Sequence, residues 1–170
     1  MKTLAYTVAA LAGLAVLGIG GRTVTRPTLQ YFKPSEFGIW YPLMAADLLT
    51  RLDLFRERWG APVIISPAQG GIGRHGGEGD TSQHNIDRWG EVRAIDIFPT
   101  VGGNYITTTD QLKRAAHIAR EVGFTGVGVY TDTKPGHMVH VDVRPDRNSG
   151  DPATWSRVAG NYYALGAAFV

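Results

Sequence analysis

The chain has 170 residues, 44% hydrophobic and 19% charged, which suits one globular domain with a core of its own and an N-terminal addition. Its 17 Lys and Arg stand against 15 Asp and Glu, a formal charge of +2 that is too slight to imply nucleic acid, although a mildly basic surface suits an anionic cell-wall polymer. Cysteine is absent, so disulfides and thiolate ligands are excluded and any metal must be held by His, Asp or Glu.

Leu4 to Gly20 is an apolar run, LAYTVAALAGLAVLGIG. It lies at the short end of a membrane span, roughly 17–25 residues, and beyond a signal-peptide apolar region, roughly 7–15. No Ala-x-Ala site directly precedes the polar residues that follow. We therefore expect an apolar helix over residues 1–22, either a retained anchor or a signal segment, then a linker over 23–30. Lys2 on one side and Arg22 and Arg26 on the other leave its orientation open.

The segment YFKPSEFG, from Tyr31, reads as a turn into the domain, which spans 31–150. From Pro42 to Trp59, Leu43, Ala46, Leu49, Leu52, Phe55 and Trp59 recur at helical spacing, with Gly60 past the end. APVIISP, with β-branched Val63, Ile64 and Ile65 between prolines, predicts a short buried strand. Ala68 to Thr81 holds six glycines in fourteen residues but no Gly-Lys-Ser/Thr, so a mobile loop beside a site fits better than a phosphate cradle. Arg74 and His75 are its residues able to touch an anionic substrate.

Val92 to Phe98 predicts a strand that carries Asp96 between Ile95 and Ile97, where a carboxylate must be paired or bound to metal. Thr109 or Asp110 can cap a helix with Leu112, Ala115 and Ala116 on its apolar face and Gly123 at its end. His117 on that helix reads as structural or exposed. Val127–Tyr130 and Met138–Val143 are further strands, and alternation puts His140 and Asp142 on one face. His137 sits where turn becomes strand and can swing towards them. The tail over 151–170 is apolar and aromatic from Trp155 on, which suits a closing helix packed on the domain or a segment docking to a partner or membrane. The order of elements predicts an α+β fold, a small, mainly antiparallel sheet with flanking helices, preceded by the N-terminal apolar helix.

A hydrolytic zinc site takes three ligands of His or carboxylate type and keeps one position for water. His84, Asp96 and His140 supply such a set. A base must then take the water's proton, with His137 first and Asp142 second as candidates, and a cation must hold the developing oxyanion, with Arg74 as candidate.

At Ser82-Gln83-His84, Ala94-Ile95-Asp96 and Val139-His140-Val141-Asp142, the chain resembles the zinc D-alanyl-D-alanine carboxypeptidases and L-alanyl-D-glutamate endopeptidases of the hedgehog/DD-peptidase fold, which include many phage endolysins. The resemblance runs from about Tyr31 to Arg144, and includes the entry segment YFKPSEFG and the strand VIIS. It implies zinc on His84, Asp96 and His140, with Arg74, Ser82 and Gln83 beside the substrate. It also implies a peptidoglycan peptidase acting on stem or cross-bridge peptides, exported or membrane-anchored and facing the periplasm or cell wall, with a phage lysin as one form. Two features depart from the family. His84 and Asp96 lie twelve positions apart instead of seven, and His137 stands where the family has a catalytic Glu. The second departure supports an alternative: a catalytically impaired peptidoglycan-binding or structural protein of a virion or membrane on the same fold, with the tail as a possible docking segment.

Overall fold

The computed structural model describes residues 15–17 and 23–170. The helix expected over 1–22 thus lies outside the described residues, apart from Ala15–Leu17. These form a short strand, β1, paired antiparallel with β2 (Thr23–Thr25). Among the described residues no helix is long and apolar enough to cross a membrane.

The chain enters the domain clamped to its first helix. Asp53 accepts hydrogen bonds from the backbone N–H groups of Gln30, Tyr31 and Phe32 at 2.8–3.0 Å. Pro34–Leu43 then forms 3-10 turns broken at Gly38, whose φ of +56° a side chain would strain. Helix α1 (Ala46–Trp59) begins later than its apolar periodicity suggests. The reason lies in the backbone of Val92, whose N–H donates to Leu43 and whose carbonyl accepts from Ala45, so these residues are held outside the helical ladder.

The remaining elements are β3 (Val63–Ile65), the single turn α2 (Ile86–Trp89), β4 (Ala94–Val101), β5 (Asn104–Tyr105), α3 (Thr109–Glu121), β6 (Gly126–Tyr130), β7 (Met138–Asp142), β8 (Ala153–Val158) and β9 (Asn161–Tyr163). Thr108, one residue before the expected cap, caps α3 in a reciprocal arrangement with Gln111. The fold is α+β. Its mixed sheet runs β3-β4-β7-β6-β8-β9, with β5 against β4, and every pairing is antiparallel except β6 with β8.

One face of the sheet builds the core. Ile95, Ile97, Val127, Val129, Val139 and Val141 are fully buried in one cluster with Leu48, Leu52 and Phe55 of α1 and Leu112 and Ala115 of α3. Each large side chain so buried contributes about 1.5–3 kcal/mol. Trp59 adds a hydrogen bond to the Thr100 carbonyl at 2.8 Å, fixing α1 to β4.

Where the sequence suggests a closing helix, the tail instead extends the sheet. Strands β8 and β9 join through Ala159 and Gly160, both at positive φ, as a tight hairpin needs. Ala rarely adopts that conformation, so the turn is poorly marked in sequence. Only Leu165–Phe169 is helical, a 3-10 segment that buries Ala168 against the core.

Candidate metal centre

The opposite face of the sheet carries polar groups in registered rows. Asp96 on β4 faces His140 on β7, His140 faces Gly128 on β6, and Gly128 faces Trp155 on β8. One two-residue step along, Asp142 faces Ala94 and Gly126; one step the other way, Met138 faces Tyr130, which faces Arg157. His84 arrives from the loop before α2. Its carbonyl accepts from Arg74 N–H at 3.0 Å, while Gly71 takes the N–H of Asp96 at 2.8 Å, so the glycine-rich loop is laid along the site edge.

The three expected ligands converge. His84 Nε2 lies 3.2 Å from His140 Nδ1 and 3.5 Å from Asp96 Oδ1, and His140 Nδ1 lies 2.9 Å from that oxygen. Ligands at about 2.0–2.1 Å around a tetrahedral ion stand roughly 3.3 Å apart. The group therefore has the spacing to hold a metal ion. Both histidines are buried and Asp96 is nearly so.

What lies behind each ring sets which nitrogen faces the centre. His84 Nδ1 bonds the Ile72 carbonyl at 2.7 Å, a contact it can make only as donor, leaving Nε2 with its lone pair inward. His140 Nε2 bonds Asp142 Oδ2 at 3.1 Å and leaves Nδ1 inward. Asp142 is fully buried and is gripped by Arg144 Nε at 2.9 and 3.1 Å. Without metal, these contacts set the charges. Burial pushes Asp96 up, but His140 and His84 outweigh it and hold the carboxyl well below the usual range. Burial likewise opposes charge on His140, yet Asp142 and Asp96 raise it to about 9. Against its own burial, Arg144 and His140 keep Asp142 at about 2.

Two glycines make this arrangement possible. A Cβ on Gly126 would meet both Asp142 carboxylate oxygens at 2.2 Å, and one on Gly128 would meet the Trp155 indole at 2.4 Å. The indole thus lies over Gly128 and packs on His140, ring centroids 5.1 Å apart. This alternation of Gly with Val on β6 is visible in the sequence, but its meaning depends on which side chains lie opposite.

The centre opens into a cavity of about 580 Å³ lined also by Arg74, Ser82, Gln83, Tyr130, Arg144, Arg157 and Tyr162. Arg74, Ser82 and Gln83 thus line the same cavity as the triad. Arg74 is held by Asp80 at 2.8 Å, and the Gln83 side-chain oxygen is buried without a hydrogen-bond partner. The two base candidates are placed otherwise. Asp142 stands behind His140, bonded to the nitrogen that faces away from the centre. His137 does not line the cavity; its N–H donates to the Ile106 carbonyl, and neighbouring Gly136 packs so closely on Tyr105 and Ile106 that a Cβ there would lie 2.7 Å from them.

The loop is anchored more firmly than its composition suggests. The side chain of Asn85, wholly buried, donates to the carbonyls of Gly77 and Asp80 and accepts from the N–H groups of Gly76 and Asp87. His75 is tied to Asp87 at 2.6 Å, and Ile86–Trp89, between His84 and Asp96, form α2 with Asn85 as cap. Sequence reasoning passed over Asn85, as well as Tyr130, Trp155, Arg157 and Tyr162, because the last three belong to a hairpin that only the sheet order brings to the site.

Compared with protein-family models, curated proteins and solved structures, the chain matches none.

Proposed function

We propose that the chain is a zinc-dependent peptidase of peptidoglycan stem or cross-bridge peptides on a hedgehog/DD-peptidase-like fold, exported or membrane-anchored through its N-terminal segment. The observation that carries this reading is the His84–Asp96–His140 triad at tetrahedral spacing, each imidazole turned inward by a fixed partner on its far nitrogen. The donor set of two imidazoles and one carboxylate without thiolate suits zinc in a hydrolytic role. Bound there, zinc supplies an acidified water and polarises the carbonyl to be attacked.

The chain's own groups divide the remaining work. Gln83 lines the cavity beside His84. Arg74 holds negative charge, and Asp142 with Arg144 keeps His140 oriented. The bond cleaved is of the D-Ala-D-Ala or L-Ala-D-Glu type, as the motif resemblance implies.

One observation favours a second reading. Among the described residues, no carboxylate or imidazole beyond the triad lines the cavity, so no ready base stands beside the attacking water. A catalytically impaired peptidoglycan-binding protein, or a structural protein of a virion or membrane, fits that absence.

The test is mass spectrometry of purified peptidoglycan incubated with the protein, with and without chelator, alongside metal analysis. Chelator-sensitive release of muropeptides supports the peptidase. Bound zinc without release moves the reading to the binding protein, and failure to bind zinc removes both.

A further inference from the structure

The cavity has a wall that the metal reading leaves unused. Tyr130 on β6 and Arg157 on β8 are in register, and Tyr162 on β9 follows Arg157. Arg157 meets Asp132 through Nε at 3.0 and 3.1 Å, and Asp132 is itself held by the N–H of Gly160 at 2.6 Å. A guanidinium carries five N–H donors in a rigid fork, so engagement through Nε fixes the group and leaves its terminal nitrogens for a ligand. The Tyr130 hydroxyl accepts from the Trp155 indole at 3.1 Å, which leaves its own proton to donate. Burial pushes this phenol up, so it remains a neutral donor. Asp96, facing two imidazoles, is the one carboxylate among the described lining residues.

We propose that Arg157 and Tyr130 form a carboxylate subsite on the β8 side of the metal triad, binding an acidic group of a peptide whose amide lies at the triad. The peptide character of the ligand rests on the peptidase reading; the anion selectivity rests on the wall itself. The subsite is separate from Arg74, whose loop lies on the β4 side beside His84. Two strand spacings of about 4.8 Å and one two-residue step of about 6.8 Å put the Arg157 backbone roughly 12 Å from that of His140. An arginine side chain spans about half of this, so the carboxylate belongs one or two residues from the amide at the triad, at about 3.5 Å per extended residue.

The experiment uses the zinc-loaded full chain and diacetyl-L-Lys-D-Ala-D-Ala, as free acid and as C-terminal amide, with binding followed by stopped-flow tryptophan fluorescence. We expect the acid to bind at least tenfold more tightly than the amide. Arg157→Gln should abolish that preference by weakening the acid alone, and Tyr130→Phe should reduce it several-fold. Arg157→Lys, which keeps the charge beside Asp132 but loses the fork, should lie between, and Arg147→Gln on the exposed loop should change nothing. Zinc content and circular dichroism check that each variant is folded. No preference in the wild type, or a preference that survives Arg157→Gln and falls with Arg74→Gln, overturns the subsite. Muropeptide release, measured in parallel, separates the two proposals: release with no role for Arg157 sinks the subsite alone. Acid preference through Arg157 without release sinks the peptidase alone.

Discussion

At the scale of single residues, the centre is controlled by groups that never face the cavity. Asp142 accepts from the far nitrogen of His140 and is sealed from water, so its effect is to orient and to make the ring a better donor. Asp142→Asn should lower zinc affinity about 10- to 100-fold while the sheet stays folded, read by competition with a chromophoric chelator. Gln83 works the other way, since a buried acceptor without a partner costs about 1–3 kcal/mol. Gln83→Met should therefore raise the free energy of unfolding by about 1 kcal/mol in urea titration; a loss of stability would refute the unpaired oxygen. The sequence made Asp96 and His140 legible because an acid in an apolar strand and a His-x-Asp pair are unusual, and His84 through the resemblance of Ser82-Gln83-His84 to a known motif. It left His137 ambiguous, since three positions before His140 it belongs to the opposite face in strict alternation, and the packing of Gly136 on Tyr105 and Ile106 resolves where the turn goes.

At the scale of elements, β6 is the strand that lets the site exist. Its two glycines leave the volume into which the Asp142 carboxylate and the Trp155 ring fit. Gly128→Ala should destabilise the protein by about 1–3 kcal/mol, as an overpacked contact does, and should change the near-ultraviolet circular dichroism of Trp155. An unchanged spectrum would mean that the indole does not lie over that position. The loop from Ala68 to Thr81 was legible as glycine-rich and adjacent to the site, but its anchoring was not. Asn85 follows a candidate metal ligand in sequence and gives no sign that its amide reaches back to Gly76, Gly77 and Asp80. The C-terminal hairpin was missed for a related reason. Its apolar and aromatic residues satisfy helix and strand patterns alike over so short a run, and β6 decides between them by offering a free edge for parallel pairing.

For the whole molecule, pH and any metal held by the triad would act on one linked equilibrium. In the metal-free protein His140 is raised to about 9, so its stabilising charge is fully present below about 6.5 and is lost as pH rises through 9. Asp96 and Asp142 are depressed, so their contribution is present above about 4 and is lost as pH falls below that. Thermal unfolding of metal-free protein should thus show a maximum between these limits and a decline from pH 6.5 to 9. Zinc must displace the His140 proton, so its apparent affinity should rise over the same interval. At a free zinc concentration 1,000 times Kd, binding should add about 4 kcal/mol of stability. A metal-free stability that rises from pH 6.5 to 9 would show that His140 is not held as the charged partner of two carboxylates.

The amino-acid sequence by itself determined the local chemistry: the helix periodicity of α1 and α3, and the strands around Asp96 and His140. These follow from spacing along one segment, which short-range geometry converts directly into a shared face. Only the tertiary structure decided that Asp142 stands behind His140 instead of facing the centre, that His137 stays outside, and that β8 and β9 bring Trp155, Arg157 and Tyr162 to the cavity. Those outcomes depend on strand order and on the room left by Gly126 and Gly128, relations between residues far apart in the chain that become physical only when the sheet closes around them.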